Sequence, residues 1–171
     1  MKKLTAIAVT CLVLGCASVA DENVVAVSIA DIQASPEVLT KHRYISTGQP
    51  DEAMLKAAKD AGYAAVIDLR TAGEDRGMNE ASAVESFGMS YHLIEVAGAS
   101  GVTFENARAL DDVMAKIDGP IFLHCRTGNR VGALLALRAS MEGASDEEAL
   151  TLGRAAGLGS LEGAVIEQLN K

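Results

Sequence analysis

One seven-residue segment of this chain holds the side chains best suited to chemistry. It reads, in order, His124, Cys125, Arg126, Thr127, Gly128, Asn129 and Arg130. An apolar run precedes it, residues 120–123, and an alanine- and leucine-rich stretch follows it, residues 131–139. The pattern predicts a cysteine placed where a strand ends and a helix begins. The backbone N–H groups of such a loop, together with the helix N-terminus, bind anions and favour the thiolate form of a cysteine.

The residue types of this segment suit different catalytic roles. Cys125 is the candidate nucleophile, because a thiolate attacks electrophilic centres at neutral pH. Arg130 presents a planar guanidinium that matches the oxygens of an oxyanion, and Gly128 permits a positive φ. We therefore expect Cys125 and Arg130 to be catalytic and His124 to support them. The residues expected to bind substrate, chiefly through loop amides, are Arg126, Thr127, Gly128 and Asn129.

The spacing Cys-x-x-Gly-x-Arg resembles that of two families. These are the cysteine-dependent phosphatases of the protein-tyrosine and dual-specificity type, and the rhodanese sulfurtransferases. Phosphatase loops usually hold five residues between Cys and Arg, whereas this chain has four, which is the usual rhodanese size. The phosphatase-like domain of bacterial beta-lactamase hydrolase-like proteins also uses the short form. The similarity to that domain extends to Tyr-Ile-Ser-Thr-Gly-Gln-Pro at 44–50 and Val-Ile-Asp-Leu-Arg at 66–70, so it covers roughly residues 43–157.

The resemblance implies hydrolysis of a phosphomonoester, phosphotyrosine-like or small, through a thiophosphoryl intermediate on Cys125. It implies no metal or other cofactor, and it gives His124 the task of orienting the loop. Two alternatives stay open. One is a rhodanese-like sulfurtransferase, in which Cys125 carries a persulfide. The other is a non-catalytic module that binds an anion.

Two features depart from the phosphatase pattern. The residue after the arginine is usually Ser or Thr, whose hydroxyl helps to release phosphate from sulfur, but here it is Val131. The loop that usually carries a general-acid aspartate corresponds to residues 97–103 and contains none. The carboxylates that could substitute are Asp68, Glu74, Asp75, Glu95 and Glu105. The general acid therefore stays unassigned.

The rest of the chain alternates between strand and helix patterns. Strands are predicted at 44–46, 63–69, 90–96 and 121–124, and helices at 51–61, 79–87, 103–117 and 130–141, with two more beginning at Ser145 and Ser160. This order predicts a single α/β domain with a mostly parallel central sheet flanked by helices. The ligand site of such a fold lies at the carboxyl ends of the strands, where the Cys125 segment falls.

The N-terminal region has the features of an export signal. Lys2 and Lys3 precede an apolar run, residues 4–14, that is too short to span a membrane comfortably. Residues 1–20 are therefore predicted to be a signal peptide, with cleavage either after Ala20 or before a lipidated Cys16. Residues 21–42 are predicted to be a tether with a possible edge strand, and residues 43–171 to be the phosphatase-like domain. The expected location is the periplasm, soluble or lipid-anchored.

Charge and cysteine content restrict the partners. The chain has 23 acidic and 15 basic residues and a formal net charge of −8, which argues against nucleic acid or an anionic membrane surface as a partner. The expected partner is a phosphorylated substrate or another small oxyanion, with membrane contact only through a lipid on Cys16. Removal of the signal leaves Cys125 as the only free thiol, so no intrachain disulfide is expected.

Overall fold

The computed structural model describes residues 24–171. The predicted signal peptide and Cys16 lie outside these residues. Within the described part, no helix is both long and apolar enough to cross a membrane. The described residues form one α/β domain.

A five-stranded sheet is the centre of the domain, and all of its neighbouring strands run parallel. Its strands are β1 (Val24–Ala26), β2 (Tyr44–Thr47), β3 (Ala65–Asp68), β4 (Ser90–Leu93) and β5 (Ile121–His124). Their order is β1-β2-β5-β3-β4, which puts β5 in the middle. At its carboxyl end, His124 is in register with both Thr47 and Asp68. The loops after β2, β3 and β5 therefore meet at one edge of the sheet.

Seven α-helices connect and cover these strands in the described part of the chain. They are α1 (Ile29–Ala34), α2 (Glu52–Asp60), α3 (Glu80–Ser86), α4 (Phe104–Met114), α5 (Asn129–Met141), α6 (Asp146–Ala155) and α7 (Glu162–Leu169). Short polar side chains begin five of them by accepting a hydrogen bond from a first-turn N–H: Ser28, Asp51, Asn79, Thr103 and Ser145. At α6, Glu148 completes a capping box with Ser145.

The buried core lies on both faces of the sheet. Leu123 and Ile67 point into a cluster with α4 and α5, whereas Phe122 and Val66 point into a cluster with α2 and α3. This division follows from the alternation of side chains along a strand. Helix α5 is buried along most of its length, as its apolar sequence predicts. The central strand and α5 thus form a rigid support for the loop between them.

The predicted fold class is confirmed, and the predicted strands and helices are found with shifted ends. Strand β4 ends at Leu93 rather than Val96, and α7 begins at Glu162 rather than Ser160. The small-residue loop at 97–102 contains a 3-10 turn, Gly98–Gly101. Gly101 is required there, because a Cβ atom would lie 2.9 Å from the Val96 carbonyl carbon.

The segment before β2 differs from the prediction. An edge strand is present as β1, but most of the residues expected to be a tether form α1 and a 3-10 helix at Pro36–Lys41. Val27, Ile32 and Leu39 are buried against the core. Strand β1 thus agrees with the predicted edge strand, whereas residues 27–42 are ordered by tertiary packing instead of forming the predicted tether.

Candidate active site

Cys125 follows β5 directly and begins a six-residue turn into α5. We call residues 125–130 the Cys125 loop. The thiol is free and 1% exposed, and the Cys125 N–H donates to the Thr47 carbonyl at 3.4 Å. Gly128 has φ +85° and is the residue immediately before α5, a left-handed conformation that glycine adopts without strain. Glycine at position 128 therefore allows the chain to turn from the loop into α5.

Several amides of the Cys125 loop are left without a protein acceptor. Within residues 24–171, no hydrogen bond is made by the backbone N–H of Arg126, Thr127, Asn129 or Arg130. The last two belong to the first turn of α5, whose N–H groups carry the positive end of the helix dipole. Unpaired amides at a helix N-terminus are the groups that bind phosphate or sulfate in other proteins.

Arg130 is held by a carboxylate from a distant loop. Its Nη1 and Nη2 donate to the two carboxylate oxygens of Glu74 at 2.5 and 2.8 Å, and Nη1 also lies 3.2 Å from the Leu69 carbonyl and 3.1 Å from the Val96 carbonyl. A guanidinium has five N–H donors, so these contacts leave Nε–H and one Nη2–H unused, and the side chain of Cys125 lies close enough to interact with the group. Glu74 therefore fixes one edge of Arg130 and leaves another edge open.

The electrostatics of this pair follow from its geometry. The hydrogen bond from Arg130 lowers the pKa of Glu74 well below its ordinary value, although burial opposes the shift. The same hydrogen bond raises the pKa of Arg130, and the neighbouring Cys125 side chain raises it further. Both groups are thus fully charged at neutral pH. Sequence reasoning named Glu74 only as an alternative general acid, and the structure places it as the partner of Arg130.

The middle of the Cys125 loop faces solvent. Arg126 and Thr127 are exposed, and Arg126 lies between two open grooves of about 560 and 620 Å³. One groove is polar and includes Arg70 and Arg76, whereas the other includes Val27 and Ile29 from the segment before β2. Volumes of this size accommodate small organic molecules. Both grooves therefore open beside Arg126, and neither of them is lined by Cys125 or Arg130.

The side chain of Asn129 has a structural task. Its Oδ1 accepts from the N–H groups of Gly159 and Leu161 at 2.9 and 3.3 Å. Its Nδ2 donates to the Ser160 hydroxyl at 2.6 Å. Asn129 thus ties the loop to the segment between α6 and α7, and only its backbone N–H remains open to an anion.

His124 lies beneath the loop in a buried polar cluster. The ring is fully buried, with Nδ1 3.4 Å from the Cys125 carbonyl oxygen and Nε2 2.6 Å from Oε1 of Glu80. Asp68 Oδ1 lies 3.8 Å from Nε2, while its Oδ2 accepts from Arg76 at 2.5 Å and from Tyr91 at 2.9 Å. Burial and the hydrogen bond to Asp68 raise the pKa of Tyr91. Sequence reasoning missed Glu80, which looks like an ordinary acidic residue in the first turn of a helix.

Asp68, Glu80 and His124 are the one described group whose atoms could together hold a metal ion. The distance between the Glu80 and His124 atoms is too short for two ligands of one metal ion and suits two atoms that share a proton. Two ligands of a tetrahedral Zn²⁺, each bound at about 2.0–2.1 Å, are separated by about 3.3 Å, whereas the Glu80 and His124 atoms are 2.6 Å apart. Arg76 also supplies a positive charge to Asp68 already. Asp68 is therefore already bound by Arg76 and Tyr91, His124 and Glu80 are in close contact, and no metal is assigned to the cluster.

The carboxylates considered as general acid have other environments. Glu74 is paired with Arg130, Asp68 is buried with Arg76, and Glu95 accepts from the Ala72 N–H. Asp75 accepts from the Gly77 N–H, and Glu105 lies exposed in the first turn of α4. The structure therefore assigns no general acid. Val131 is fully buried in the core against α4 and β5, so no hydroxyl stands at that position.

Comparison with known proteins identifies the relatives of this domain. No family model matches the chain. A beta-lactamase hydrolase-like protein of Agrobacterium fabrum is 33% identical over 110 residues, 62% of this chain. One from Xylella fastidiosa is 29% identical over 120 residues, 67% of this chain. The predicted resemblance is confirmed. The chain spans only about a quarter of the length of these curated relatives, 25% and 28% respectively.

Solved structures that share this fold include phosphatases and candidate phosphatases. A candidate phosphatase from Neisseria meningitidis superimposes with a TM-score of 0.64 at 20% identity, over 77% of this chain and 94% of that one. A second from Shewanella putrefaciens gives 0.58 at 20% identity, over 75% and 82% of the two chains. PTPMT1 gives 0.54 at 15% identity, over 77% and 92%. The domain therefore has the fold of protein-tyrosine-phosphatase-like and dual-specificity phosphatases.

Proposed function

We propose that this domain is a cysteine-dependent phosphatase that hydrolyses a phosphomonoester. The observation that carries the proposal is the Cys125 loop, where a thiol, unpaired amides and a fixed guanidinium lie between the central strand and its buried helix. The fold shared with phosphatases supports it.

In the proposed reaction, the Cys125 thiolate attacks phosphorus in line with the leaving oxygen. A sulfur–phosphorus bond forms, the phosphorus–oxygen bond breaks, and the alcohol or phenol leaves with a proton from an acid or from water. The free donors of Arg130 and the loop amides stabilise the equatorial oxygens in the transition state. Water then cleaves the thiophosphoryl group and restores the thiol. Because Val131 has no hydroxyl, this second step is expected to be slow.

Substrate selection is assigned to the exposed part of the loop. Arg126 would attract a phosphorylated substrate, and the grooves on either side of it would take the group that the phosphate is attached to. The substrate class is a phosphotyrosine-like or small-molecule phosphomonoester. The acidic composition disfavours nucleic acid as a substrate.

Sulfur transfer is the second candidate, and three observations favour it. Only four residues separate Cys125 from Arg130, Val131 lacks the hydroxyl, and no general acid is in place. Cys125 would attack the outer sulfur of thiosulfate, forming a persulfide and releasing sulfite, and cyanide would then remove that sulfur as thiocyanate. Neither step requires an acid to protonate an alkoxide.

Steady-state assays separate the two candidates. Purified protein is given p-nitrophenyl phosphate in one assay and thiosulfate with cyanide in the other, with Cys125→Ser as the control. Phosphate release that depends on Cys125 supports the phosphatase. Thiocyanate formation without phosphate release would replace it with sulfur transfer. If neither product forms, while phosphate protects Cys125 from iodoacetamide, the domain is an anion-binding module.

We also propose that the chain is exported to the periplasm, on the basis of residues 1–20 alone. Cell fractionation tests this, and unprocessed protein in the cytosol would reject it. Cys16→Ser distinguishes the two processing routes, because it blocks lipid attachment and leaves cleavage after Ala20 intact.

A further inference from the structure

The buried contact between His124 and Glu80 joins the Cys125 loop to a helix 44 residues earlier in the chain. His124 is 0% exposed and Glu80 is 1% exposed. The Nε2 atom of His124 and the Oε1 atom of Glu80 are 2.6 Å apart, and neither atom makes a hydrogen bond of good geometry within the described residues. At this separation a nitrogen and an oxygen need a proton between them, so we take the pair as each other's partner.

The donor and acceptor roles around His124 require a proton between its Nε2 atom and Glu80. The Cys125 carbonyl oxygen can only accept, so Nδ1 of His124 must carry a hydrogen to bond with it. If Nδ1 is protonated, a neutral ring leaves Nε2 as an acceptor, and it cannot bond to an ionised Glu80. One further proton must therefore reside on Nε2 or on the Glu80 carboxyl. In either case, the pair donates to the Cys125 carbonyl.

The surroundings of the pair are consistent with this proton. Gln49 Nε2 donates to Oε2 of Glu80 at 2.7 Å, and Arg76 lies 3.9 Å from the same oxygen. Asp68 is neutralised by Arg76 and also accepts from Tyr91 and from the Arg70 N–H. Two carboxylates with only one arginine beside them would leave a buried negative charge, which is costly. The shared proton removes that excess.

We propose that Glu80 is a positioning residue for the Cys125 loop. It fixes the protonation state of His124, so that Nδ1–H holds the Cys125 carbonyl oxygen on the side away from the substrate. The peptide between Cys125 and Arg126 is then fixed, and with it the direction of the unpaired Arg126 N–H. The inference rests on the proposed function only in making Cys125 the reacting group.

Two substitutions test this role without requiring turnover. Glu80→Gln can donate an N–H to Nε2 of a neutral His124, so it preserves Nδ1–H. Glu80→Ala cannot. The rate of Cys125 alkylation by iodoacetamide should therefore fall about fivefold in Glu80→Ala, the loss of roughly one hydrogen bond, and stay within about twofold in Glu80→Gln. Glu85→Gln, an exposed position of the same helix, should match the parent.

Two results would contradict the positioning role of Glu80. Parental alkylation rates in a folded Glu80→Ala, or equal losses in Ala and Gln, would overturn the positioning role. If Glu80→Ala does not fold, ¹⁵N NMR of the parent's three histidines decides. A protonated Nδ1 on His124 supports the proposal, and a bare Nδ1 rejects it. Phosphatase activity is scored separately, so a Glu80 effect without phosphate release would reject only the proposed function.

Discussion

At the scale of single residues, Arg130 combines two tasks that are usually assigned to different groups. Glu74 and two carbonyl oxygens occupy one edge of the guanidinium, and another edge keeps free N–H donors. A lysine has a point charge and cannot bond to both carboxylate oxygens and an oxyanion in this way. The identity of the cation therefore matters as much as its charge.

Arg130→Lys tests this requirement. We expect kcat/KM with p-nitrophenyl phosphate to fall by about 10²–10³-fold, and phosphate to lose its protection of Cys125 against alkylation. Arg138→Lys, on the same helix but paired with Asp111, is the matched control and should retain parental kinetics. Undiminished anion protection in Arg130→Lys would show that the amides alone bind the anion.

Val131→Thr tests the missing hydroxyl at the position after the arginine. If hydrolysis of the thiophosphoryl group limits turnover, the added hydroxyl should raise kcat with little change in KM. The hydroxyl enters a fully buried site, so a stability loss of about 1–3 kcal/mol is expected in urea unfolding. Val165→Thr, a buried valine of α7, controls for that loss and should leave kcat unchanged. An unchanged kcat in folded Val131→Thr would mean that another step limits the rate.

At the scale of elements, the loop after β3 holds the loop after β5 through Glu74 and Arg130. Loss of this ion pair should loosen both loops. Glu74→Gln is therefore expected to lower the free energy of unfolding by about 1–3 kcal/mol at pH 7. Urea unfolding measures this, with Glu85→Gln as an exposed control.

The pH dependence of that difference has a definite sign. The pKa of Glu74 is lower in the folded state than its ordinary value, so its contribution is complete above that value and declines as pH falls below it. The difference between parent and Glu74→Gln should shrink by roughly 1–2 kcal/mol between pH 7 and about pH 3. A constant difference would mean that the ionised pair does not stabilise the fold.

Close packing of α5 on α6 is a second feature at this scale. A Cβ atom on Gly132 would lie 2.3 Å from the Leu158 nitrogen and 2.6 Å from the Gly153 carbonyl oxygen, both backbone atoms. Gly132→Ala should therefore destabilise the domain by about 1–3 kcal/mol or more. Gly163→Ala, in α7 with open space at its Cβ, should be neutral or slightly stabilising. Thermal unfolding of the two variants checks both, and equal stability would contradict the packing.

Local sequence signals predicted the helices and strands well. They did not predict which distant residues contact the site residues. Asp51, Asn79, Thr103 and Ser145 lie beside the helices that they cap, so their pattern is visible in a short window. Glu80 and Glu74 reach His124 and Arg130 across 44 and 56 residues. Nothing local separates them from the other acidic residues of an acidic chain. The order of residues 27–42 was missed for a related reason, since it comes from burial against distant elements.

At the scale of the whole molecule, the described part is one domain built around a single loop. The parallel order of the strands brings the ends of β2, β3 and β5 together, and each contributes to the loop's support: the Thr47 carbonyl, Asp68 and His124. Because the relatives are about four times as long as the matched region, their complete activities are not transferred to this chain. The chemistry proposed here belongs to this domain alone.

Mass spectrometry of the protein quenched during turnover detects the proposed intermediate itself. With p-nitrophenyl phosphate, we expect one phosphoryl group on the peptide that contains Cys125, and none in Cys125→Ser. With thiosulfate in place of the phosphomonoester, we expect an unmodified Cys125. One added sulfur atom on Cys125 after thiosulfate, with no phosphoryl group from phosphomonoesters, would contradict the phosphatase assignment and establish sulfur transfer instead.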